Sequence, residues 1–158
     1  MKNANDVIKI VERHAVEKGS IKPDRMIFVV KPESVRKLFE ELVERVGYEW
    51  FYLSTVVGAD MKEENRFRLD YYVVVLPEER TIVIRTYIPR DQPVIDSIVD
   101  IVPAAFSAEN ETYDLLGIVF KGNPALRRGF FVSSDVVDKG VYPLRKDAIG
   151  VWKWQLQK

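Results

Sequence analysis

The sequence contains no cysteine and a single histidine. Without cysteine the chain cannot form a disulfide scaffold, ligate an iron–sulfur cluster or supply a cysteine nucleophile. One histidine cannot build a multi-histidine metal site, and His14 is interpreted as a partly exposed residue of a predicted helix. An all-carboxylate magnesium site stays formally open, but no Asp/Glu cluster has the spacing for it. We therefore expect no metal and no cofactor in this chain.

Long apolar runs and an excess of one charge are also absent. No run approaches the ~20 apolar residues that cross a bilayer, and the first residues lack the apolar core of a signal peptide. We expect a cytoplasmic chain that meets a membrane only through partners. With 24 basic and 24 acidic residues, a nucleic-acid protein that relies on a bulk positive field is disfavoured. Charged residues make up 30% of the chain, which resembles a thermophile's bias, although a mesophile protein can look similar.

No catalytic motif is present. The serines Ser54, Ser107, Ser133 and Ser134 lack a Gly-x-Ser-x-Gly context, and no Gly-rich phosphate loop ends in Gly-Lys-Ser/Thr. Three acids, Glu109, Glu111 and Asp114, could form a carboxylate cluster for acid–base chemistry. Glu111 and Asp114 share a helical face, whereas Glu109 lies farther around the helix. The favoured interpretation is nevertheless ion pairing, with Arg127 or Arg128 or across an interface.

Apolar spacing predicts an α+β domain over residues 1–132. A mixed or antiparallel sheet should be covered by helices on one face. The alternating residues of 66–76 indicate a strand with one wet face, and 81–88 should pair with it as an antiparallel hairpin. The predicted helices are 4–18, 32–46, 93–102 and 104–116; the other predicted strands are 26–30 and 50–57. Residues 58–65 are interpreted as a solvated turn.

Residues 133–158 are predicted to be an extended, partner-binding tail. This segment has few periodic apolar positions but carries Tyr142, Trp152 and Trp154. Aromatic side chains in such a tail are typical of interface anchors. We expect the tail to protrude when the chain is alone; the alternative, in which the tryptophans pack on the domain's own core, stays open.

The stretch Tyr113–Arg128 organises the chain. It begins as the last turn of a helix capped by Gly117, continues through an apolar run and a turn at Gly122, Asn123 and Pro124, and ends in the pair Arg127–Arg128. Two guanidiniums held after a fixed turn are suited to meet an acidic partner surface, a phosphate or a carboxylate.

This stretch resembles the signature of the thirty-kilodalton-type subunit of NADH:quinone oxidoreductase, respiratory complex I. A second block downstream, Pro143–Asp147, matches the family's Pro-Leu-Arg-Lys-Asp segment. Asn110 and Asn123 stand where the family usually has Arg and His, which suits a relative such as the membrane-bound hydrogenases. The residues that match the signature are Glu109, Glu111, Tyr113, Asp114, Leu115, Gly117, Ile118, Phe120, Gly122, Pro124, Leu126, Arg127 and Arg128.

The resemblance implies the same fold and a non-catalytic peripheral-arm subunit, held on the cytoplasmic side of the membrane in a hetero-oligomer. Its implied partners are the large subunit, with a quinone site or a nickel–iron centre, and the small iron–sulfur subunit. Any clusters would lie in those partners. The alternatives are a subunit of a sulfur-reducing relative, or a stand-alone acid–base enzyme or ligand-binding domain that uses Glu111, Asp114 and Arg127. The predicted partner-facing residues are Glu109, Glu111, Tyr113, Asp114, Asn123, Pro124, Arg127, Arg128, Tyr142, Pro143, Leu144, Arg145, Lys146, Trp152 and Trp154.

Overall fold

A five-stranded mixed sheet forms the centre of the computed structural model, which describes residues 3–21 and 24–148. Its strands are β1 (Ala15–Ile21), β2 (Arg25–Val30), β3 (Phe51–Met61), β4 (Arg66–Val75) and β5 (Arg80–Pro89). Their order is β1-β2-β5-β4-β3, and only β2 and β5 pair in parallel. A separate parallel pair consists of β6 (Val94–Asp96) and β7 (Val119–Lys121).

Four helices accompany these strands in the described part of the chain: α1 (Ala4–His14), α2 (Pro32–Arg45), α3 (Ala105–Leu116) and α4 (Ser134–Asp138). Helix α1 starts with a reciprocal capping box between Asn3 and Asp6. Helix α3 ends at Gly117, whose φ of 74° lies in the left-handed region. The predicted helix end and its glycine cap are therefore confirmed.

The side chains of strand β4 show which face of the sheet the helices cover. Its odd-numbered residues, from Phe67 to Val75, are buried against the helices, and Tyr71 packs on Phe39 of α2 at a ring separation of 5.7 Å. On the opposite face Asp70 receives both arms of the Arg85 guanidinium, at 2.7 and 2.9 Å. The predicted alternation and the α+β class are confirmed. The predicted wet face is wrong, because Asp70 is buried against Arg85 and Arg66, Arg68 and Tyr72 are only half-exposed.

The prediction of a helix through residue 18 is wrong, because α1 ends at His14 and residues 15–21 form the edge strand β1. Residues 16–21 are all exposed. A strand that buries neither face has no alternating pattern, so its sequence carries no strand signal.

The predicted helix over 93–102 is also wrong. Ile95, Ile98 and Val102 are buried as expected, and their spacing of three and four residues imitates a helical face. The chain instead forms β6 against β7. Just beyond this strand, the carboxylate of Glu109 on α3 binds the backbone N–H of Ile98 at 2.9 Å. A contact between distant segments overrides the local pattern.

Residues 58–65 are more ordered than the predicted turn. Strand β3 continues through Met61 and is followed by a 3₁₀ turn over 62–64. Gly58 lets α3 approach β3 closely: a Cβ there would lie 2.5 Å from Cδ1 of Leu116 and 3.0 Å from Cγ2 of Thr112. This close approach places the signature helix against the edge of the sheet.

Candidate partner interface

Asp114 on α3 holds the loop that follows β7. Its Oδ1 accepts from Arg128 Nε and the backbone N–H of Gly129, both at 3.0 Å. Its Oδ2 accepts from the backbone N–H groups of Phe131 and Val132, at 2.7 and 2.8 Å. The side chain is fully buried. One carboxylate thus fixes residues 128–132 on the helix.

The same hydrogen bonds favour the ionised form of Asp114. Burial alone would raise the pKa of this carboxyl, but the three backbone N–H groups and the Arg128 guanidinium outweigh it and lower the pKa below its usual value. A carboxylate that is saturated with donors and stays ionised is a poor general base. The acid–base alternative that uses Asp114 is therefore disfavoured by geometry.

Glu109, predicted to face a partner, is fully buried instead. Its Oε2 accepts from Ser97 Oγ at 2.6 Å and from Asn123 Nδ2 at 2.9 Å, while Oε1 accepts from the N–H of Ile98. Burial raises the pKa of Glu109 despite these donors. The Asn123 carbonyl also accepts from the N–H of Ala125. Glu109 and Asn123 therefore join three chain segments inside the protein.

The described end of the predicted tail lies on the domain, and we name residues 141–147 the strap. The backbone N–H of Leu144 donates to the carbonyl of Leu115 at 3.0 Å. Arg145 Nε donates to the carbonyl of Leu116 at 2.6 Å. The expectation of a protruding tail does not hold for these residues, because the last carbonyls of α3 require donors. Trp152 and Trp154 lie outside the described residues.

The far end of the strap is fastened by charge. The N–H of Lys146 donates to Asp60 Oδ2 at 2.8 Å, and Asp147 pairs with Arg90 at 2.7 Å. Arg90 also grips buried Asp60 at 2.9 and 3.1 Å. Burial opposes ionisation of Asp60, yet Arg90 and the Lys146 N–H lower its pKa on balance. Asp60 and Arg90 were not predicted as site residues, because they lie outside the signature stretch.

The guanidinium of Arg128 already has its hydrogen-bond partners within the chain. Besides Asp114 it donates to the carbonyl of Val141 at 2.6 Å, and its guanidinium lies 4.1 Å from the ring of Tyr142. The ring of Tyr113 meets that of Tyr142 edge-on at 6.4 Å. Arg128 and the two tyrosines therefore tie the loop to the strap, and the predicted ion pairing of Asp114 is realised within the chain.

An exposed surface remains beside this framework, and we name Phe106, Arg127, Phe130 and Phe131 the aromatic face. Phe131 is 64% exposed and Phe106 is 40% exposed. Phe106 and Phe130 meet edge-on at 6.1 Å, and the Arg127 guanidinium lies 6.0 Å from the Phe130 ring. Within residues 3–21 and 24–148, Arg127 forms no ion pair. The three phenylalanines were missed because they are not part of the signature.

The remaining predicted residues divide by exposure. Glu111, Pro124, Leu144 and Lys146 are exposed, while Pro143 and Arg145 are half-buried. Over the part of the chain that the structure describes, no cluster of three or more acidic or histidine side chains could hold a metal ion. The same part contains no helix that is long and apolar enough to cross a membrane.

Comparison with known proteins identifies relatives of this arrangement. Residues 28–151 match the family described as respiratory-chain NADH dehydrogenase, 30 Kd subunit. A subunit of the NADH-quinone oxidoreductase of Moorella thermoacetica is 31% identical over 119 residues, which cover 75% of this chain and 76% of that protein. A subunit of the F(420)H(2) dehydrogenase of Methanosarcina mazei is 29% identical over 134 residues, which cover 85% and 82%. The fold resembles a chain of a membrane-bound sulfane sulfur reductase, an archaeal respiratory membrane complex, with a TM-score of 0.78, 24% identity and coverage of 96% and 88%.

Proposed function

The chain belongs to the family of the 30 Kd subunit of respiratory-chain NADH dehydrogenase, and we propose that it is a non-catalytic, peripheral-arm subunit of a complex I-related membrane-bound oxidoreductase. The main support for this proposal is that the acidic signature residues bind donors of their own chain and leave a neighbouring apolar surface exposed. Asp114 and Glu109 bind donors of their own chain, while the aromatic face stays exposed beside them. An exposed apolar surface whose backbone is already held in place by buried hydrogen bonds is suited to binding a partner.

The partner that we propose for the aromatic face is the large subunit, with its quinone site or nickel–iron centre; the small iron–sulfur subunit is the second neighbour. Phenylalanine pairs with an arginine among them are typical of the desolvated centre of an interface. Arg127 would meet a carboxylate of the partner through two parallel N–H bonds. An obligate contact of this kind buries roughly 2,000 Å² or more.

The chemistry of the parent complex belongs to its other chains. Relatives are named for NADH–quinone and for F(420)H(2) oxidation, so one subunit type accompanies different electron donors. We place the chain in an archaeal-type membrane-bound hydrogenase or an NADH:quinone oxidoreductase, on the cytoplasmic side of the membrane and held there by partners. Iron–sulfur clusters, and a nickel–iron centre in the hydrogenase case, would lie in those partners.

A second candidate is a subunit of a sulfur-reducing relative. It is favoured by length as well as fold, since the likeness to the sulfane sulfur reductase chain spans 96% of this chain and 88% of that one. Cysteine pairs with nickel-ligand spacing in the co-purifying large subunit would decide for the hydrogenase.

The test replaces Arg127 with alanine in a tagged chain that is expressed in its native host. We expect the stability of the isolated chain to change by less than about 0.5 kcal/mol, because Arg127 is exposed. The yield of co-purifying large subunit should fall at least tenfold, equivalent to about 1.4 kcal/mol.

Arg80→Ala is the matched control, because Arg80 is also exposed and also forms no ion pair within the described residues. The two variants should differ only in partner yield. Equal yields of the large subunit for Arg127→Ala, Arg80→Ala and the unchanged chain would remove Arg127 from the interface. A chain that brings down no partner subunit at all would refute the subunit role.

A further inference from the structure

No helix covers one face of the central sheet in the part of the chain that the structure describes. The helices α1, α2 and α3 pack on the core side, with α2 on Tyr71 and α3 over Gly58. The strand register places the alternate residues on the other side, which we name the open face. Ile27, Val74 and Val83 are buried there but do not belong to the core that the helices cover. The open face comprises residues 17, 19 and 21 of β1, 25, 27 and 29 of β2, 52, 55, 57, 59 and 61 of β3, the even-numbered residues 66–74 of β4 and the odd-numbered residues 81–89 of β5.

Tyrosine and arginine side chains are paired on the open face. The guanidinium of Arg25 lies 5.5 Å from the ring centre of Tyr72, and that of Arg66 lies 3.7 Å from the ring centre of Tyr87. Tyr52 is 50% exposed. Stacking on a ring restricts an arginine side chain in advance, so less conformational entropy is lost when it binds. Tyrosine and arginine are enriched in protein interfaces, where lysine is depleted, and the open face has no lysine.

The strands of the open face carry more basic than acidic side chains. Asp70 is buried and already serves two arginines. Arg85 binds both of its oxygens, at 2.7 and 2.9 Å, and Arg68 Nε lies 3.2 Å from Oδ2 without hydrogen-bond geometry. The turns at the ends of β4 are acidic on balance, since residues 62–64 and 77–79 add one lysine and four glutamates, of which Glu64 pairs with Arg66. The middle of the open face is therefore basic. The charged residues of its strands are Arg25, Arg66, Arg68 and Arg85 against Glu17 and Asp70.

The charge and the size of the open face favour an acidic protein surface as its occupant. A symmetric contact with a second copy, centred on this face, would bring arginine against arginine, and like charges disfavour such a contact. Residues 149–158 carry Lys153 and Lys158 and no acidic side chain. The face measures about 19 Å from β1 to β3 and about 33 Å along β4. The resulting area is of the same order as the ~800 Å² that each partner contributes to a standard interface.

We infer that the open face binds an acidic surface of a partner subunit. Carboxylates of that surface meet Arg68, which shares Asp70 with Arg85, and Arg25, which is exposed and forms no ion pair within the described ranges. An arginine binds a carboxylate through two parallel N–H bonds. Tyr52 supplies apolar contact at the β3 side. The inference rests on the proposed role as a subunit of a larger complex. It adds a second contact, on the side of the sheet away from α3 and the aromatic face.

Hydroxyl-radical footprinting of the isolated chain and of the purified parent complex tests the inference. Oxidation of Tyr52 should fall at least tenfold on assembly. Tyr48 is the matched control, because it is a 55% exposed tyrosine whose ring meets that of Phe51, a residue of the core side; its oxidation should not change. In an Arg68→Lys variant, a carbodiimide should couple position 68 to an aspartate or glutamate of a partner subunit.

Three results would overturn the inference. The first is unchanged oxidation of Tyr52 on assembly. The second is protection of Tyr52 that grows with the concentration of the isolated chain, or coupling of position 68 to another copy, either of which would identify a second copy as the occupant. The third is protection of Tyr52 in the isolated chain by phosphatidylglycerol vesicles or by oligothymidylate, which would identify a membrane surface or a nucleic acid instead.

Two double substitutions separate this contact from the subunit role. Arg25→Gln with Arg68→Gln removes two charges from the open face and should lower the yield of partner subunits at least tenfold. Arg80→Gln with Lys37→Gln is the control, because both residues are exposed, Arg80 on the core side opposite Val75 and Lys37 on α2; its yield should match the unchanged chain. If the first variant melts below the control, Arg25→Gln alone repeats the comparison. Equal yields for test and control, in a chain that still assembles, would refute the open-face contact alone. Absence of partners from the unchanged chain would refute the subunit role.

Discussion

Replacing Asp114 with asparagine removes a single charge from the centre of the framework. The carboxylate accepts four hydrogen bonds, from Arg128 and from the backbone N–H groups of Gly129, Phe131 and Val132. An asparagine amide group must turn its own N–H donors towards two of them. Breaking a buried ion pair by changing one partner costs about 3–5 kcal/mol. For a chain of this size the melting temperature should fall by about 6–20 °C.

Urea denaturation of the isolated chain measures the loss directly. Glu111→Gln is the control, because Glu111 lies on the same helix but is exposed, and its effect should stay under about 0.5 kcal/mol. The folded pKa of Asp114 is lowered below 3.8. Its stabilisation is therefore present above pH 3.8 and is lost as the pH falls through the folded pKa. The deficit of Asp114→Asn should be constant near neutral pH and shrink in acid. A loss below about 1 kcal/mol at neutral pH would contradict the assigned role.

Two further changes test the packing and the second buried acid. Gly58→Ala should destabilise the chain by about 1–3 kcal/mol in urea denaturation, because the new Cβ would meet buried Leu116. Gly19→Ala is the control and should be neutral, because Gly19 has open space around it. Equal effects of the two substitutions would refute the close approach of α3 to β3. The raised pKa of Glu109 means that its contribution is present below pH 4.5 and is lost as the pH rises through the folded value. The unchanged chain should therefore lose stability relative to Glu109→Gln as the pH rises above 4.5, measured by thermal melting; a difference that does not vary with pH would show that Glu109 does not titrate there.

Elements whose signal is local were predictable from the sequence. Gly117 marks the end of α3 because few other residues adopt its left-handed conformation at low cost. The alternation of β4 is visible because one face is buried and the other carries Arg68 and Asp70. In both cases the residue type and its environment point to the same structure.

Elements that depend on distant contacts could not be predicted in this way. The exposed strand β1 exists because β2 offers a pairing edge, and the turn after β6 exists because Glu109 reaches Ile98 from α3. Nothing in either segment encodes the contact that decides it. The spacing of Ile95, Ile98 and Val102 even imitates a helix.

The sequence singles out the signature residues but does not show whether they face a partner or their own chain. Glu109 meets Asn123, and Asp114 meets Arg128, so each signature residue binds atoms of its own chain. A sequence motif identifies the residues that a structure needs, but it does not indicate whether their side chains face inward. The direction follows from burial, which only the complete fold determines.

Because the signature residues face inward, a polar signature would support the apolar contact that we propose. Charged groups at the centre of an interface must lose water, and that loss offsets much of the attraction between them. Here the four donors around Asp114 satisfy its charge within the chain, so the loop that it holds can offer Phe131 and its neighbours to a partner. On that face Arg127 is exposed and forms no ion pair within the described residues. In the proposed contact the electrostatic part of recognition would fall to Arg127, whereas Arg128 is bound within the chain. The two adjacent arginines should therefore respond differently to the same substitution.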